Sequence, residues 1–468
     1  MIKKIYALAA CACLTSGHLY AAPLTTEQRL ALLEERLQAA ESRADKAEAE
    51  IAQLTRQNGA STKPTTSATN TPSASTAKPL VVAVTEQQGS TPKAMLKVGE
   101  NSELKFYGDV EFNMDGASRT GSLTSLKTSA NKDWAPGAKE RWDINGRILL
   151  GFDGIQHGTN NHYAGFTVQP LADMTGKMNL DDAAFFFGQK DDWKVKVGRF
   201  EAYDMFPLNQ DTFIEYSGNT ANNLYSDGYG YIYMMKEARG RSNSGGNFLF
   251  SKTLDNWYFE VNSLVEDGSS LYVNDAYHGS ALDNQKNVVY VRPVIAWQSG
   301  NYSIAAAVES NLVNNAYGYT DSKGTWQDQS RRTGYGMTMS WNTLKDDPVD
   351  GVVLNLSSAY MDAVDETNFS AGVNGLWRRV ELGYIYAHND ISRFNSVDSL
   401  NCSDGCAFRI PGKYDIHTIH TSWQLPNILD MPNFNIYLGA YASWLDTQEK
   451  NSHNDSRYGA RLRFKYLF

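Results

Sequence analysis

Residues 457–468, the last stretch of the chain, read RYGARLRFKYLF and decide the fold class. Because successive side chains of a β-strand point to opposite faces, this stretch presents two different surfaces. One surface is apolar and ends in aromatic rings: Tyr458, Ala460, Leu462, Phe464, Tyr466 and Phe468. The other surface is mostly cationic: Arg457, Gly459, Arg461, Arg463 and Lys465. An apolar face toward lipid and a charged face toward a water-filled interior are typical of a transmembrane β-barrel strand.

The same two-residue alternation recurs along the chain from residue 104 onwards. The segment from Leu104 to Met114 mirrors the last strand, with acidic groups in place of basic groups on its polar face. Further on, short turns such as Arg378-Arg379 separate pairs of alternating segments, and tryptophan recurs beside these turns. Long polar connections alternate with the short turns: 118–139, 267–285, 314–332 and 389–413. Short turns at one end and long loops at the other indicate an outer-membrane barrel.

Parity along the chain predicts the number of strands. About seventeen alternating segments are recognisable, and a barrel whose two ends lie in the periplasm needs an even number. Residues 229–235 count as an ascending strand, so parity requires one further descending strand between Phe200 and Gly228, for which residues 213–216 are the candidate. We therefore predict an all-β fold, a transmembrane antiparallel β-barrel of eighteen strands, with sixteen strands as the alternative. A barrel of either size leaves an aqueous channel.

The composition favours such a barrel over a helical membrane protein. Mean hydropathy is −0.45, a value that a barrel reaches because half of every strand is polar. No apolar run beyond the N-terminus reaches the roughly 18 residues of a spanning helix. Proline is scarce, at 13 residues, because it cannot donate a ladder hydrogen bond. The net charge of −9 and the lack of a basic tract argue against a nucleic-acid partner.

The N-terminus has the features of an export signal. Lys3 and Lys4 precede a short apolar stretch and a small-residue cleavage site, so residues 1–21 are predicted to be a signal peptide. A lipoprotein box that ends at Cys11 is the alternative. Only about six apolar residues precede Cys11, whereas the apolar region of a signal peptide has roughly 7–15.

Residues 22–57 are predicted to form an α-helical coiled coil in the periplasm. Apolar residues there step by three and four: Leu30, Leu33, Leu37, Ala40, Ala44, Ala47, Ile51 and Leu54. Such a heptad seam becomes buried by self-association. We expect a homotrimer, with peptidoglycan as a further candidate partner of the helix. Residues 58–100, rich in Ser, Thr and Ala, are predicted to be a flexible linker, and residues 101–468 the barrel.

The sequence contains no catalytic pattern, so we expect a protein that is not an enzyme and has no cofactor and no metal site. G-x-S-x-G, Walker A, dinucleotide-binding and H-E-x-x-H patterns are all missing. His417 and His420 lie three apart on a predicted strand and therefore face opposite ways. Cys402 and Cys406 flank a polar tripeptide and are predicted to form a disulfide, with a metal half-site as the alternative.

The selectivity of a pore resides in the side chains that face its lumen. Tyrosines interleaved with charged groups suit a sugar path, because sugar rings stack on aromatic rings while their hydroxyls exchange hydrogen bonds. Strand parity selects these candidates: Tyr107, Asp109, Glu111, Arg147, Tyr258, Tyr290, Arg292, Glu309, Tyr437, Tyr441, Arg461, Arg463 and Lys465.

The stretch 198–208, GRFEAYDMFPL, mixes aromatic residues with acids and is less polar than the other loops. We predict that it folds into the channel as a constriction, which adds Arg199, Glu201 and Asp204 to the candidates. The alternative is an ordinary strand end with the aromatic residues of a membrane interface.

These features resemble the sugar porins of the enterobacterial outer membrane. The barrel, the terminal Phe468 and the 193–208 segment resemble the glycoporins, in particular the raffinose-uptake type. The 30–54 helix resembles the periplasmic coiled coil of the sucrose porin. The resemblance implies a trimer of barrels through which oligosaccharides diffuse passively, with an inward-folded loop that narrows each pore. An aromatic slide of the maltoporin kind cannot be placed residue by residue.

Three functions are therefore open. The first is a trimeric outer-membrane porin for di- or oligosaccharides, surrounded by lipid and lipopolysaccharide. The second is a general or ion-biased diffusion porin, in which Arg461 and Arg463 would create a transverse field with Asp109 and Glu111. The third is an adhesin or envelope-tethering protein whose barrel is only an anchor.

Overall fold

The computed structural model describes residues 94–117, 141–210, 233–235, 245–271, 276–277, 280–393, 411–447 and 455–468. The predicted signal peptide, the predicted coiled-coil helix and most of the predicted linker lie outside these residues. So do Cys402 and Cys406.

Twenty-two strands and two short 3-10 helices make up the regular structure of the described residues. The strands are β1 (Ala94–Lys97), β2 (Ser102–Ala117), β3 (Arg141–His157), β4 (His162–Asp173), β5 (Met178–Gln189), β6 (Trp193–Arg199), β7 (Gly246–Leu254), β8 (Trp257–Asp267), β9 (Ala276–Tyr277), β10 (Ser280–Ala281), β11 (Asp283–Asn284), β12 (Asn287–Ser299), β13 (Tyr302–Asn311), β14 (Tyr317–Thr320), β15 (Trp326–Asp328), β16 (Arg332–Asn342), β17 (Val352–Ala363), β18 (Glu366–Trp377), β19 (Val380–Ile391), β20 (Gly412–Leu425), β21 (Phe434–Thr447) and β22 (Asp455–Leu467). The 3-10 helices span Gly268–Leu271 and Ile428–Asp430. Within the described ranges, no helix is long and apolar enough to span a bilayer.

Sixteen of the strands, β2–β8, β12, β13 and β16–β22, form one closed antiparallel barrel in chain order. It closes where β22 pairs with β2, in a register that sets Leu467 opposite Asp109. The prediction of eighteen strands is wrong, and the alternative of sixteen is confirmed. The higher count treated 229–235 as a strand, but its described residues, 233–235, have no strand structure, and residues 213–216 lie outside the described ranges.

Most outward side chains of the barrel are apolar, and most inward side chains are polar. At outward positions Phe185 is 53% and Tyr466 is 38% exposed, although both rings are apolar or nearly so. At inward positions Glu111 is 5%, Arg292 is 1% and Lys465 is 8% exposed. Hydrocarbon outside and a polar interior require this reversal of the usual arrangement. The two faces predicted for the last strand are therefore confirmed.

The two ends of the barrel differ in their connections. One end, which we call the turn end, joins most neighbouring strands by short turns. Arg378 and Arg379, for example, connect β18 to β19 with φ values of 45° and 71°, as the tightest hairpin turn requires. The other end, which we call the loop end, carries long connections such as 312–331, and β11, β14 and β15 form a small separate three-stranded sheet there. In outer-membrane barrels the turn end faces the periplasm.

The seam of the barrel is completed by β1. Phe468 exchanges two backbone hydrogen bonds with Gly108, at 2.8 and 3.0 Å. The Phe468 ring occupies the space that a side chain at position 108 would fill, because a Cβ there would come within 2.5 Å of it. β1 pairs with the same edge of β2 just beyond, with Ala94 opposite Phe106. The end of the predicted linker thus extends the column of β22.

Candidate functional site

The stretch that follows β6, residues 200–210, lies inside the barrel, and we call it the inner segment. Arg292 Nη2 donates a 2.6 Å hydrogen bond to the carbonyl of Tyr203, and Asn374 Nδ2 donates a 2.9 Å bond to the carbonyl of Pro207. Wall side chains on β8, β12 and β16–β19 all bond to this segment. The inner segment is therefore fixed along nearly half of the barrel wall.

One buried carboxylate holds the far end of the inner segment. Glu381 is 0% exposed and accepts hydrogen bonds from the backbone N–H groups of Asn209 (3.1 Å) and Gln210 (2.6 Å). Asn374 Nδ2 donates a third bond to the same side chain at 3.2 Å. Hydrogen bonds to an ionised acceptor are roughly twice as strong as neutral ones. Glu381 is therefore the strongest single anchor of this end.

Glycines on the inner wall leave space for two aromatic rings that pack against it. A Cβ at Gly372 would come within 2.7 Å of the Phe206 ring, and a Cβ at Gly334 would overlap the Tyr233 side chain. Phe206 and Tyr233 are 5% and 1% exposed, so both rings are buried against the wall. Residues 233–235 thus lie against the inner face of the wall, which explains why their apolar pattern imitates that of a strand.

The part of the wall opposite the inner segment, on β2, β3 and β22, carries a row of charged side chains. We call it the charge ladder: Asp109, Glu111, Asp115, Arg147, Arg461, Arg463 and Lys465. Arg461 binds Asp115 through two contacts of 2.6 Å, and Lys465 Nζ lies 2.8 Å from Glu111 Oε1. Arg147 lies 3.5 Å from both Asp109 and Glu111. Every rung joins opposite charges on neighbouring strands.

This pairing changes the electrostatics expected from the sequence. The hypothesis of a transverse field places Arg461 and Arg463 across the pore from Asp109 and Glu111. In the structure these four residues lie on adjacent strands, and Arg463 Nη2 is 3.7 Å from Glu111 Oε2. Charges paired at contact distance largely cancel at longer range, so this set generates little field across the pore. The transverse field expected from these residues is therefore not formed.

Glu111 is the acid of the ladder on which most cations converge, with three cationic side chains within 4 Å of it. We expect Glu111→Gln to shift the channel toward anions, since the excess of basic over acidic groups in the ladder rises from four against three to four against two. The reversal potential across a planar bilayer in a KCl gradient measures this shift. Asp350→Asn is the matched control, because Asp350 lies in an exposed turn beside Arg378. A reversal potential that moves equally in both variants would contradict the placement of Glu111 on the ion path.

Four other candidates from the sequence point inward but occupy different surroundings. Tyr258 donates a 2.6 Å hydrogen bond to Glu260, whose other carboxylate oxygen accepts from the start of the inner segment. Tyr290 is 4% exposed and lies in the apolar cluster between the inner segment and the wall. Glu309 and Tyr437 are 5% and 2% exposed. These side chains therefore belong mainly to the packing behind the channel surface.

The three constriction candidates, Arg199, Glu201 and Asp204, do not all lie on the inner segment. Arg199 lies at the outward parity of β6, opposite Ala183, and its Nε donates to the carbonyls of Leu180 and Asp181 at 2.8 and 2.9 Å. Its assignment to the constriction does not fit, because strand parity continues to the last residue of β6. Glu201 and Asp204 lie on the inner segment itself, and Asp204 accepts the N–H of Phe206 at 2.8 Å.

Sequence reasoning missed the residues that hold the inner segment. Thr338, Asn355, Asn374 and Glu381 are ordinary polar residues at inward positions of strands, and parity alone does not separate them from lumen-facing groups. The signal that was available is glycine at inward strand positions such as Gly372. A glycine inside a strand often marks a close approach of another group.

Comparison with known proteins gives a family and several structural likenesses. The sequence pattern of the family described as porin-like glycoporin RafY matches residues 106–468. No curated protein matches the chain. Among solved structures, the chain is similar to a loop L8 deletion mutant of OmpT from Vibrio cholerae, with 12% identity, a TM-score of 0.48, and coverage of 79% of this chain and 100% of that one. The chain is also similar to the anion-selective porin from Comamonas acidovorans, with 12% identity, a TM-score of 0.48, and coverage of 78% of this chain and 100% of that one. For Pseudomonas putida OprB the identity is 11%, the TM-score is 0.46, and the coverage is 77% of this chain and 94% of that one.

Proposed function

We propose a function from the family to which this chain belongs, the porin-like glycoporins of the RafY type. The protein is an outer-membrane porin, a channel rather than an enzyme, through which di- and oligosaccharides diffuse passively. The inner segment narrows the channel, and the charge ladder forms the wall opposite to it.

The observation that carries this proposal is the chemistry of the wall opposite the inner segment. From Tyr107 to Asp115, every second residue of β2 presents a hydrogen-bonding group to the interior. Neighbouring strands supply donors and acceptors at the same level, such as Asn145, which bonds to Asp115 at 2.8 Å. The partly exposed groups of this wall, such as Tyr107, Asp109 and Arg147, can exchange hydrogen bonds with a sugar that moves along it, while the buried Glu111 and Asp115 hold neighbouring groups in place. Because the charges are paired, the wall is polar but nearly neutral, which suits an uncharged solute.

The proposed assembly is a homotrimer embedded in outer-membrane lipid and lipopolysaccharide. The exposed apolar outer wall supports contact with lipid. The heptad pattern of residues 30–54 supports self-association through a periplasmic helix, with peptidoglycan as a candidate partner of that helix. Chemical cross-linking of the full chain and of a variant that lacks residues 22–57 tests whether the helix is needed for the trimer.

Liposome swelling tests the proposed solute class. We expect vesicles that contain the protein to swell in iso-osmotic disaccharides and trisaccharides, at rates that fall with solute size, and protein-free vesicles to stay unchanged. The sugars should be recovered intact, because the protein is a channel. Ion conductance without sugar flux would instead indicate an ion-biased diffusion porin. Neither flux nor conductance from a folded barrel would favour a barrel that serves only as an anchor.

A further inference from the structure

One histidine of the inner wall is buried without a hydrogen-bond partner. His420, on β20, is 1% exposed, and neither its Nδ1 nor its Nε2 has a partner among the described residues. Its ring lies against the backbone of β19, because a Cβ at Gly383 would come within 2.1 Å of Nε2. Polar side chains that are buried in folded proteins form a hydrogen bond in the large majority of cases, so this arrangement needs a physical explanation.

The far end of the inner segment is attached on β18 and β19, close to His420. Gly383, which lies opposite His420 on β19, itself lies opposite Asn374 on β18. Asn374 Nδ2 donates to the carbonyl of Pro207, and Glu381, two residues before Gly383, accepts two backbone N–H groups of the segment. These attachments therefore lie at the level of His420 along the strands, or two residues from it.

Other buried polar atoms around the far end also lack a hydrogen-bond partner within the described ranges. They are Ser422 Oγ, which is two residues from His420 on the same face of β20, Asn374 Oδ1, and Asn209 Nδ2 on the inner segment itself. A buried donor or acceptor without a partner raises the free energy of the arrangement that buries it. The strong bonds to Glu381 are thus opposed at the same place, and a release that lets water reach these groups relieves that opposition.

A positive charge on His420 has no hydrogen-bond acceptor among the described residues while the far end is attached. The titratable and charged groups around it come from four elements: Glu381 on β19, Tyr441 on β21, Arg461 on β22, and Glu201 and Asp204 on the inner segment. Glu381 already accepts from the inner segment and from Asn374, and Arg461 already binds Asp115. Burying a cation without a bonded partner is strongly unfavourable. The attached arrangement therefore favours a neutral His420.

We propose that His420 makes the constriction sensitive to pH: the far end of the inner segment covers a neutral His420, and a proton bound to His420 favours its release. Once the far end has left, lumen water solvates the imidazolium, so the released arrangement binds the proton more tightly. By linkage, acid then shifts the population toward release. One hydrated histidine raises the ratio of released to attached channels by up to roughly 25-fold between about pH 7 and about pH 5. This inference rests on the proposed function, to which it adds a control of pore width.

The single-channel conductance as a function of pH tests this switch. We expect the conductance of the wild type in a planar bilayer to rise several-fold between about pH 7 and about pH 5, within the range in which histidine changes its charge. His420→Gln keeps a polar side chain at this position but does not titrate, so it should lose most of this rise. Cleavage within residues 200–210, by a protease that is active at both pH values, should increase at the lower pH in the wild type and much less in His420→Gln.

The matched control is His417→Gln, the same change on the outward face of the same strand, where the rings of His417 and Trp444 have centroids 5.4 Å apart. It should respond to pH like the wild type. Glu381 and the charge ladder remain in every variant, so the difference between the two glutamine variants isolates His420. His420→Asn is a second test variant in case His420→Gln does not fold, and heat-modifiable migration in gels reports folding for all variants.

Equal pH responses in His420→Gln and His417→Gln would overturn the switch. So would a wild-type conductance that stays constant or falls as the pH is lowered. A folded protein that conducts at neither pH and passes no sugar into liposomes would instead overturn the proposed function itself.

Discussion

Replacing Glu381 with alanine will raise the single-channel conductance several-fold while the barrel stays folded. The change removes the acceptor of the Asn209 and Gln210 N–H groups and of Asn374 Nδ2. Each hydrogen bond to a charged acceptor contributes about 1.5–3 kcal/mol. The far end of the inner segment therefore loses its two backbone anchors and keeps the neutral bonds from Asn355 to Asn209 and from Gln210 to the Arg379 carbonyl. A segment released at one end no longer narrows the channel along its whole length. Planar-bilayer recording measures the conductance.

Limited proteolysis gives an independent measure of the same release. Protease should cut the Glu381→Ala variant within residues 200–210 and leave the wild type intact there. Glu103→Ala is the control, because Glu103 lies inside the barrel near the turn end and pairs with Lys105 at 2.9 Å, away from the inner segment. Adding Asn374→Ala to Glu381→Ala should increase both effects, since the Pro207 carbonyl then loses its shorter hydrogen bond and keeps only the 3.4 Å bond from Asn355. Wild-type conductance together with wild-type proteolysis in the double variant would contradict the anchoring role.

The second large effect concerns the stability of the barrel seam. Asp115→Ala removes a carboxylate that is 2% exposed and that binds Arg461 through two contacts of 2.6 Å. Asn145 Nδ2 loses an acceptor in the same step. Breaking a buried ion pair from one side typically costs about 3–5 kcal/mol, and the lower end applies here because the Arg461 side chain is 18% exposed and keeps part of its hydration. We expect the free energy of unfolding, measured by urea in lipid vesicles, to fall by about this amount.

An exposed pair of similar geometry provides the comparison. Arg378 Nε lies 2.5 Å from Asp350 Oδ1, but these side chains are 59% and 49% exposed. Exposed ion pairs contribute about 0–1 kcal/mol, so Asp350→Ala should change the unfolding free energy little. Replacing Arg461 together with Asp115 should recover part of the loss, because the buried charge is removed with its partner. Equal losses in Asp115→Ala and Asp350→Ala would show that burial in the seam does not matter.

Much of the fold was predictable from two features of the sequence. The two-residue period within each strand separates the lipid face from the interior, and the short turns between strands fix which segments pair. Residues such as Tyr466 and Lys465 could therefore be assigned to faces without any structure. The strand number was harder to predict, because residues near 233 pack against the inner wall and acquire the apolar pattern of a strand.

The candidate site was predictable in part only. Parity correctly separates inward from outward residues inside a strand, but it does not give the register between strands. The pairing of Arg461 with Asp115 depends on how β22 closes on β2, and residues 346 positions apart in the chain give no local signal of it. Arg199 shows a second difficulty, which is the exact end of a strand. It is the last residue of β6 and faces outward, whereas the sequence assigned it to the constriction that follows. Glu381 gave no signal, because two of its partners are backbone N–H groups and the third, Asn374, is an ordinary polar residue of the neighbouring strand.

The position of β1 has a practical consequence for handling the protein. Phe468 lies opposite Gly108 and Ala94 lies opposite Phe106, so only Tyr107 separates the two along the edge of β2. An affinity tag fused after Phe468 would run toward Ala94, which lies two positions further along that row. Purification tags and fluorescent fusions are therefore better inserted into a long connection at the loop end, where they do not compete with β1 for the edge of β2.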